Sequence, residues 1–148
     1  MLTERSIEIE APAGVVWAVY ADVERWPQWT ASVTGVRPLD GSGLGVGKRF
    51  EIHQPRFPKL VWTVTALDPG RAWTWEQRAP GGRSLATHEV VALSPKRTRA
   101  RMVIEQRGPV GVLVGVLTRR LARRYLDLEA QGLKATSEAR ARSGGTPA

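Results

Sequence analysis

Cysteine is absent from the 148 residues, and histidine occurs only twice, as His53 and His88. The first absence excludes a disulfide framework, a thiolate nucleophile and a cysteine metal site. The second excludes a histidine-rich metal centre, so neither metal nor cofactor is expected. Long apolar runs are also lacking. No uncharged stretch is longer than the apolar run 108–118, which is about half the ~20 residues that a membrane span needs. The opening segment carries Glu4, Glu8 and Glu10 without a basic-then-apolar run, so it does not read as a secretory signal, and the expected location is cytoplasmic. No Gly-x-Ser-x-Gly elbow is present, which disfavours a serine hydrolase. The glycine-rich run 41–47 lacks the Lys-Ser/Thr ending of a phosphate loop and opens no helix.

What is present is a globular composition, 42% hydrophobic and 24% charged. It fits one domain over 1–140, followed by a disordered tail, 141–148. The net charge of +8 is unevenly placed. Residues 1–95 carry 10 Lys/Arg and 10 Asp/Glu, so the whole excess lies in 96–148, with 12 Lys/Arg and 4 Asp/Glu. Such asymmetry can serve nucleic acid or an anionic membrane surface, but a solvated helix face accounts for it as well.

Ile7 and Ile9 alternate with Ser6, Glu8 and Glu10, as in a half-buried strand. Short helical pieces follow at 13–22 and 23–32, and then a possible strand at 33–39. From 48 to 107 the chain reads as a meander punctuated by turns at 68–71, 80–82 and 94–97. Pairing Leu67 with Ala72, Ala79 with Arg83 and Leu93 with Thr98 sorts the side chains into two faces. The apolar face collects Trp62, Val64, Ala66, Trp73, Trp75, Gln77, Leu85, Thr87, Glu89, Val91, Ala100, Met102 and Ile104. The other face, with Thr74, Glu76, Arg78, His88, Arg99 and Arg101, is polar. A bulge would flip everything beyond it, and a slip of one residue would exchange His88 with Glu89. Gly108-Pro109 opens a helix over 110–140 whose stripe comprises Val110, Leu113, Val114, Leu117, Leu121, Tyr125, Leu128 and Ala135. A sheet wet on one face needs a cover, and this helix needs an apolar partner.

The order of strand, two short helices, meander and long C-terminal helix resembles the START-like helix-grip superfamily. Within it, the chain is similar to the polyketide cyclase/dehydratase-type proteins of the SRPBCC group. The likeness rests on SIEIEAPAGVVWAVYADVERWPQWTASV, on WTVTALDPGRAWTWE and on GPVGVLVGVLTRRLARRYLDLEAQGLKA, and spans roughly residues 3 to 140. The sequence departs from the pattern at Lys96-Arg97-Thr98-Arg99, where Gly-Thr-Arg often enters the last strand. The resemblance implies an α+β fold, a curved antiparallel sheet wrapped on a long helix, and a cavity for a lipid, sterol, polyketide or other hydrophobic molecule.

Three indoles on one face, Trp62, Trp73 and Trp75, suit a flat or polycyclic ligand, or simply plug a small core. The expected lining adds Val64, Gln77, Thr87, Val91, Met102 and Ile104 from the sheet, with Leu117 and Leu121 from the helix. Glu89 stands on the apolar face between Trp73 and Met102. A carboxylate there must be paired or have its pKa raised, and in the second case it could serve as a general acid or base. Tyr125 and Gln77 are its candidate polar partners. Three function classes follow: a binding protein for a small hydrophobic ligand, a cyclase or dehydratase using Glu89 or a histidine with Tyr125, and a module docking its basic helix on nucleic acid or anionic lipid. Nucleic acid is disfavoured, because no aromatic residues interleave with the arginines. Val112, Val116 and Leu126, off the main stripe, offer a homodimer contact.

Overall fold

Alternation at the start of the chain produces β1 (Leu2–Ile9), which ends in a fully buried Ile9. Pro12, extended at φ −61° and ψ 148°, breaks the strand and precedes α1 (Ala13–Ala21). A short 3-10 helix, Val23–Gln28, follows. The meander is β2 (Gly35–Pro38), β3 (Arg49–His53), β4 (Leu60–Asp68), β5 (Ala72–Ala79), β6 (Gly82–Ser94) and β7 (Arg97–Arg107). Two helices close the chain, α2 (Pro109–Leu117) and α3 (Arg119–Gly144). The computed structural model describes residues 1–144. All seven strands form one antiparallel sheet, ordered β1-β7-β6-β5-β4-β3-β2. Its concave face packs on α1 and α3, which makes the fold a helix grip of the α+β class. Residues 141–144, expected in the tail, continue α3, and the rest of that tail lies outside the described residues.

The register departs from the turn-based expectation at two turns, each for a local reason. Asp68 pairs with Ala72, so three residues rather than four make the first turn, and a bulge at Thr65 then restores Val64 opposite Trp75. Between them the faces are exchanged: Leu67 packs inward and Ala66 is exposed. At the second turn Ala79 pairs with Gly82. Pro80 and Gly81, the latter at φ 78°, therefore form a two-residue turn of the type II pattern. This slip of one residue turns β6 over. Ala86, His88 and Val90 are buried, while Leu85, Thr87, Glu89 and Val91 belong to the outer face. The third turn keeps the expected pairing of Ser94 with Arg97, but a bulge at Leu93 sets Ala92 opposite Thr98. The two slips cancel, so Ala100 and Met102 are buried as expected.

The outer face is laced with ion pairs. Arg101 binds Glu4 at 2.6 Å and Glu89 at 3.4 Å, and Arg97 binds Glu8 at 2.6 Å. All are exposed enough that each contributes less than about 1 kcal/mol. The stabilising mass is inside, where Trp73, Tyr20, Phe50, Met102 and Leu133 are completely buried. Each such side chain contributes about 1.5–3 kcal/mol through the area it removes from water.

The expected single helix over 110–140 is two helices joined at Thr118. That residue has φ −104° and ψ 9°, and its Oγ1 donates to the Val114 carbonyl at 2.7 Å. Back-bonding of this kind bends a helix. The expected stripe is also rotated. Gly111, Gly115, Tyr125, Leu126, Glu129, Ala130, Leu133 and Ser137 are the buried positions, whereas Leu113, Leu117 and Ala135 are exposed. The cause is close approach. Gly108 turns the chain at φ 80°, and a Cβ there would lie 2.7 Å from the Gly81 carbonyl oxygen. On α3, a Cβ at Gly132 would lie 2.1 Å from the Trp29 carbonyl oxygen. Backbones this near leave room only for glycine.

Candidate active site

Between sheet and helices lies a cavity of about 460 Å³, within the usual range for a small-molecule pocket. Its deeper wall is made by Trp26, Trp75, His88, Met102, Leu126 and Glu129, all buried. Toward solvent it is bordered by Gln54, Arg56 and Phe57 of the β3–β4 loop, by Tyr125, and by Val110, Val114 and Thr118 around the α2–α3 joint. Gln77, Ser84 and Gln106 supply polar groups, with Ser84 bonded to Gln106.

The tryptophans form a connected cluster. Trp75 meets Trp26 at 5.6 Å, Trp73 at 5.9 Å and Trp62 at 6.0 Å between ring centroids. Trp62, Trp75, Gln77, Met102 and Ile104 border the cavity, as does Thr87, although the Thr87 hydroxyl pairs with Thr74 Oγ1 at 3.0 Å. Trp73 and Val64 are buried in the core beside the cavity, not in its wall. Val91 is 48% exposed on the outer face and Leu117 is 75% exposed on α2, so neither lines anything. Leu121 is half-buried and lies outside the wall.

The turned-over strand removes Glu89 from the site. Its carboxylate sits outside, partly exposed and 3.4 Å from the Arg101 guanidinium. His88 takes the inward position, stacked on Trp73 at 4.2 Å and edge-on to Tyr20 at 5.3 Å. Burial pushes the imidazole down to about 3, against a smaller opposing contribution from the Trp73 backbone. His88 is therefore a neutral, weakly basic ring, and its buried Nδ1 has no well-formed hydrogen bond. Tyr125 does face the cavity, but its hydroxyl donates to the Pro55 carbonyl and its ring meets Phe57 at 5.8 Å. This tyrosine ties the β3–β4 loop to α3 at the cavity border.

An acid enters the site from α3 instead. Glu129 is 7% exposed, borders the cavity, and accepts a 2.6 Å hydrogen bond from the Tyr20 hydroxyl. No cation pairs with it among the described residues. Burial raises its carboxyl from 4.5 to about 7, and the Tyr20 bond opposes that only in part. The Tyr20 hydroxyl is itself pushed well above its ordinary 10, by burial first and then by the neighbouring carboxylate. Tyr20 thus remains a donor, and Glu129 is poised to exchange a proton near neutral pH. The sequence did contain a signal for this. Glu129 follows Tyr125 by four residues and precedes Leu133 by four, so it is a carboxyl set inside an apolar stripe.

The comparisons with known proteins agree with this architecture. A family model described as "Polyketide cyclase / dehydrase and lipid transport" matches residues 2–138. A Streptomyces halstedii protein, provisionally named a polyketide cyclase, is 27% identical over 114 residues, covering 76% of this chain and 94% of that one. A hypothetical protein of Helicobacter pylori superposes with a TM-score of 0.76 at 14% identity, over 93% of this chain and 88% of its own. The Zhui aromatase/cyclase of a Streptomyces species superposes with a TM-score of 0.68 at 19% identity, over 96% of this chain and 93% of its own. At these identities the structural likenesses speak for the fold alone.

Proposed function

Because the chain belongs to the polyketide cyclase/dehydrase and lipid transport family, we propose that its cavity takes up a small, flat hydrophobic molecule and that Glu129 transfers a proton on it. The observation that carries this reading is a buried carboxyl in the wall of an aromatic-lined cavity, raised to about 7 by burial and without a cation among the described residues. A carboxyl kept for structure alone is ordinarily paired, as Glu89 is with Arg101.

The chemistry suited to one such group is proton removal beside a carbonyl, followed by proton delivery to a leaving oxygen. In a dehydration, Glu129 takes the proton from the carbon between a carbonyl and a hydroxyl-bearing carbon. It then gives that proton to the hydroxyl, which leaves as water while a C=C bond forms. In an aldol cyclisation, the same carbon attacks a second carbonyl and the proton goes to the resulting alkoxide. Tyr20 acts as a positioning residue, because its hydroxyl orients the carboxylate without titrating. Trp26, Trp62 and Trp75 hold the ring system by stacking.

The test is turnover of an aromatic β-hydroxyketone by wild type and Glu129→Gln, together with quenching of tryptophan fluorescence by a hydroxyanthraquinone. Glu129→Gln should retain quenching and lose turnover by 100-fold or more, about the contribution of a positioned acid–base group. Quenching without turnover in the wild type would leave a binding protein. Wild-type turnover in the variant would refute the role given to Glu129.

A further inference from the structure

Helix α2 is turned inside out relative to a core helix. Its buried positions are Gly111 and Gly115, where a Cβ would lie 3.3 Å from the Arg83 carbonyl oxygen and 2.9 Å from Gln106 Cγ. Four of its aliphatic side chains point away. Leu117 is 75% exposed, Val116 58%, Leu113 57% and Val112 41%, on a helix without a single charge. An aliphatic face like this on a soluble domain marks a surface that something covers.

The charge that follows it says what kind of surface that is. Arg119, Arg120, Arg123 and Arg124 open α3, all exposed, and none has an ion-pair partner among the described residues. Arg97 and Arg101, by contrast, are held by glutamates on the sheet. The bond from Thr118 N to the Val114 carbonyl (2.9 Å) ends α2 and the bond from Ala122 N to the Thr118 carbonyl (2.8 Å) opens α3, so the two helices abut at this residue. At 3.6 residues per turn, the four aliphatics fall within about 140° of α2 and the four arginines within about 140° of α3, and all eight are exposed on either side of the joint. Exposed aliphatic side chains followed at once by unpaired guanidinium groups suit a segment that docks at a bilayer interface.

We infer that the outer face of α2 and the first turns of α3 form a docking surface for a bilayer carrying anionic lipids. The aliphatics enter the headgroup–acyl boundary and the guanidinium groups bind lipid phosphates. A second copy fits the charge less well, since a two-fold contact through this face would bring two sets of unpaired arginines together. Val110, Val114 and Thr118, which border the cavity, lie on the other side of the same turns. The docking itself does not depend on the acid–base role of Glu129.

Flotation of the full-length protein with vesicles tests this, using phosphatidylcholine alone or mixed with phosphatidylglycerol, at low and high salt. The protein should float with the mixed vesicles at low salt, and salt should release it. Arg119→Gln should weaken partitioning about fivefold, and the Arg119→Gln/Arg123→Gln pair about 30-fold. Leu117→Ser should weaken it tenfold or more. These side chains are exposed, so the variants should keep the wild-type circular dichroism and melting point. Glu129→Gln should float like wild type, which separates failure of docking from failure of the proposed chemistry. Equal partitioning to the two vesicle types, or binding unaffected by the arginine pair, would overturn the inference. So would sedimentation of a dimer that Val116→Glu dissociates, in the absence of vesicle binding.

Discussion

Glu129 and His88 pull the stability of the fold in opposite directions as pH changes. Glu129 has its folded-state pKa raised from 4.5 to about 7. Below pH 4.5 the carboxyl is protonated in both the folded and unfolded chain. As pH rises from there, the unfolded chain releases the proton first, so stability falls, and the loss is complete once pH has passed about 7. The total is about 3 kcal/mol, at about 1.4 kcal/mol per pH unit. His88 has its pKa lowered from 6.5 to about 3. Above pH 6.5 the ring is neutral in both states. As pH falls toward about 3, the unfolded chain gains the proton first, and stability falls at the same slope, about 5 kcal/mol in all. Between pH 4.5 and 6.5 the two slopes cancel. Replacing either residue should unmask the other. Over that window the stability of Glu129→Gln minus that of wild type should rise by about 2 kcal/mol, and that of His88→Phe minus wild type should fall by about as much. Urea unfolding at several pH values in the window measures both. A packing change caused by either substitution offsets its curve without tilting it, and contributions from surface carboxylates are common to all three proteins. Parallel curves for wild type and Glu129→Gln would refute the burial of an uncompensated carboxyl at this site.

Two further outcomes follow from the packing. Glu89→Gln, on the outer face beside Arg101, should change stability by less than about 1 kcal/mol and leave hydroxyanthraquinone quenching unaltered; a loss of quenching would return this residue to the cavity. Gly132→Ala should gain about 1 kcal/mol from helix propensity alone, but its Cβ would meet the Trp29 carbonyl oxygen at 2.1 Å, so a net loss of about 1–3 kcal/mol is expected. A raised melting point would show that the Trp29 segment gives way.

The fold was legible because its signals are local and repeated. Ile7 and Ile9 mark β1, Pro12 and Gly108-Pro109 mark helix starts, and three turn sequences separate the strands of the meander. That Trp73 and Trp75 share a buried face was legible for the same reason, since residues two apart on a strand point the same way whatever the register. The acid was not. Counting from turn to turn put Glu89 inside because Pro80-Gly81 closes a turn one residue shorter than the one assumed. Met102 and Ile104 came out on the correct side only because the Leu93 bulge reversed that slip. On the helix, the apolar run 110–117 offers no polar side from which to read a phase, and extending its stripe passed over Glu129.

By itself, then, the sequence determined the order of strands and helices, apart from the break at Thr118, and which residues share a strand face, because alternation and helical period act over a few residues. Only the tertiary structure decided which titratable groups are inside. Side-chain parity passes through every turn and bulge, so an error of one residue moves a whole strand to the other face. The side of α2 that faces the sheet was settled likewise by contact, since only Gly111 and Gly115 let the backbones approach. That contact sends the aliphatic side chains of α2 outward, next to the four arginines.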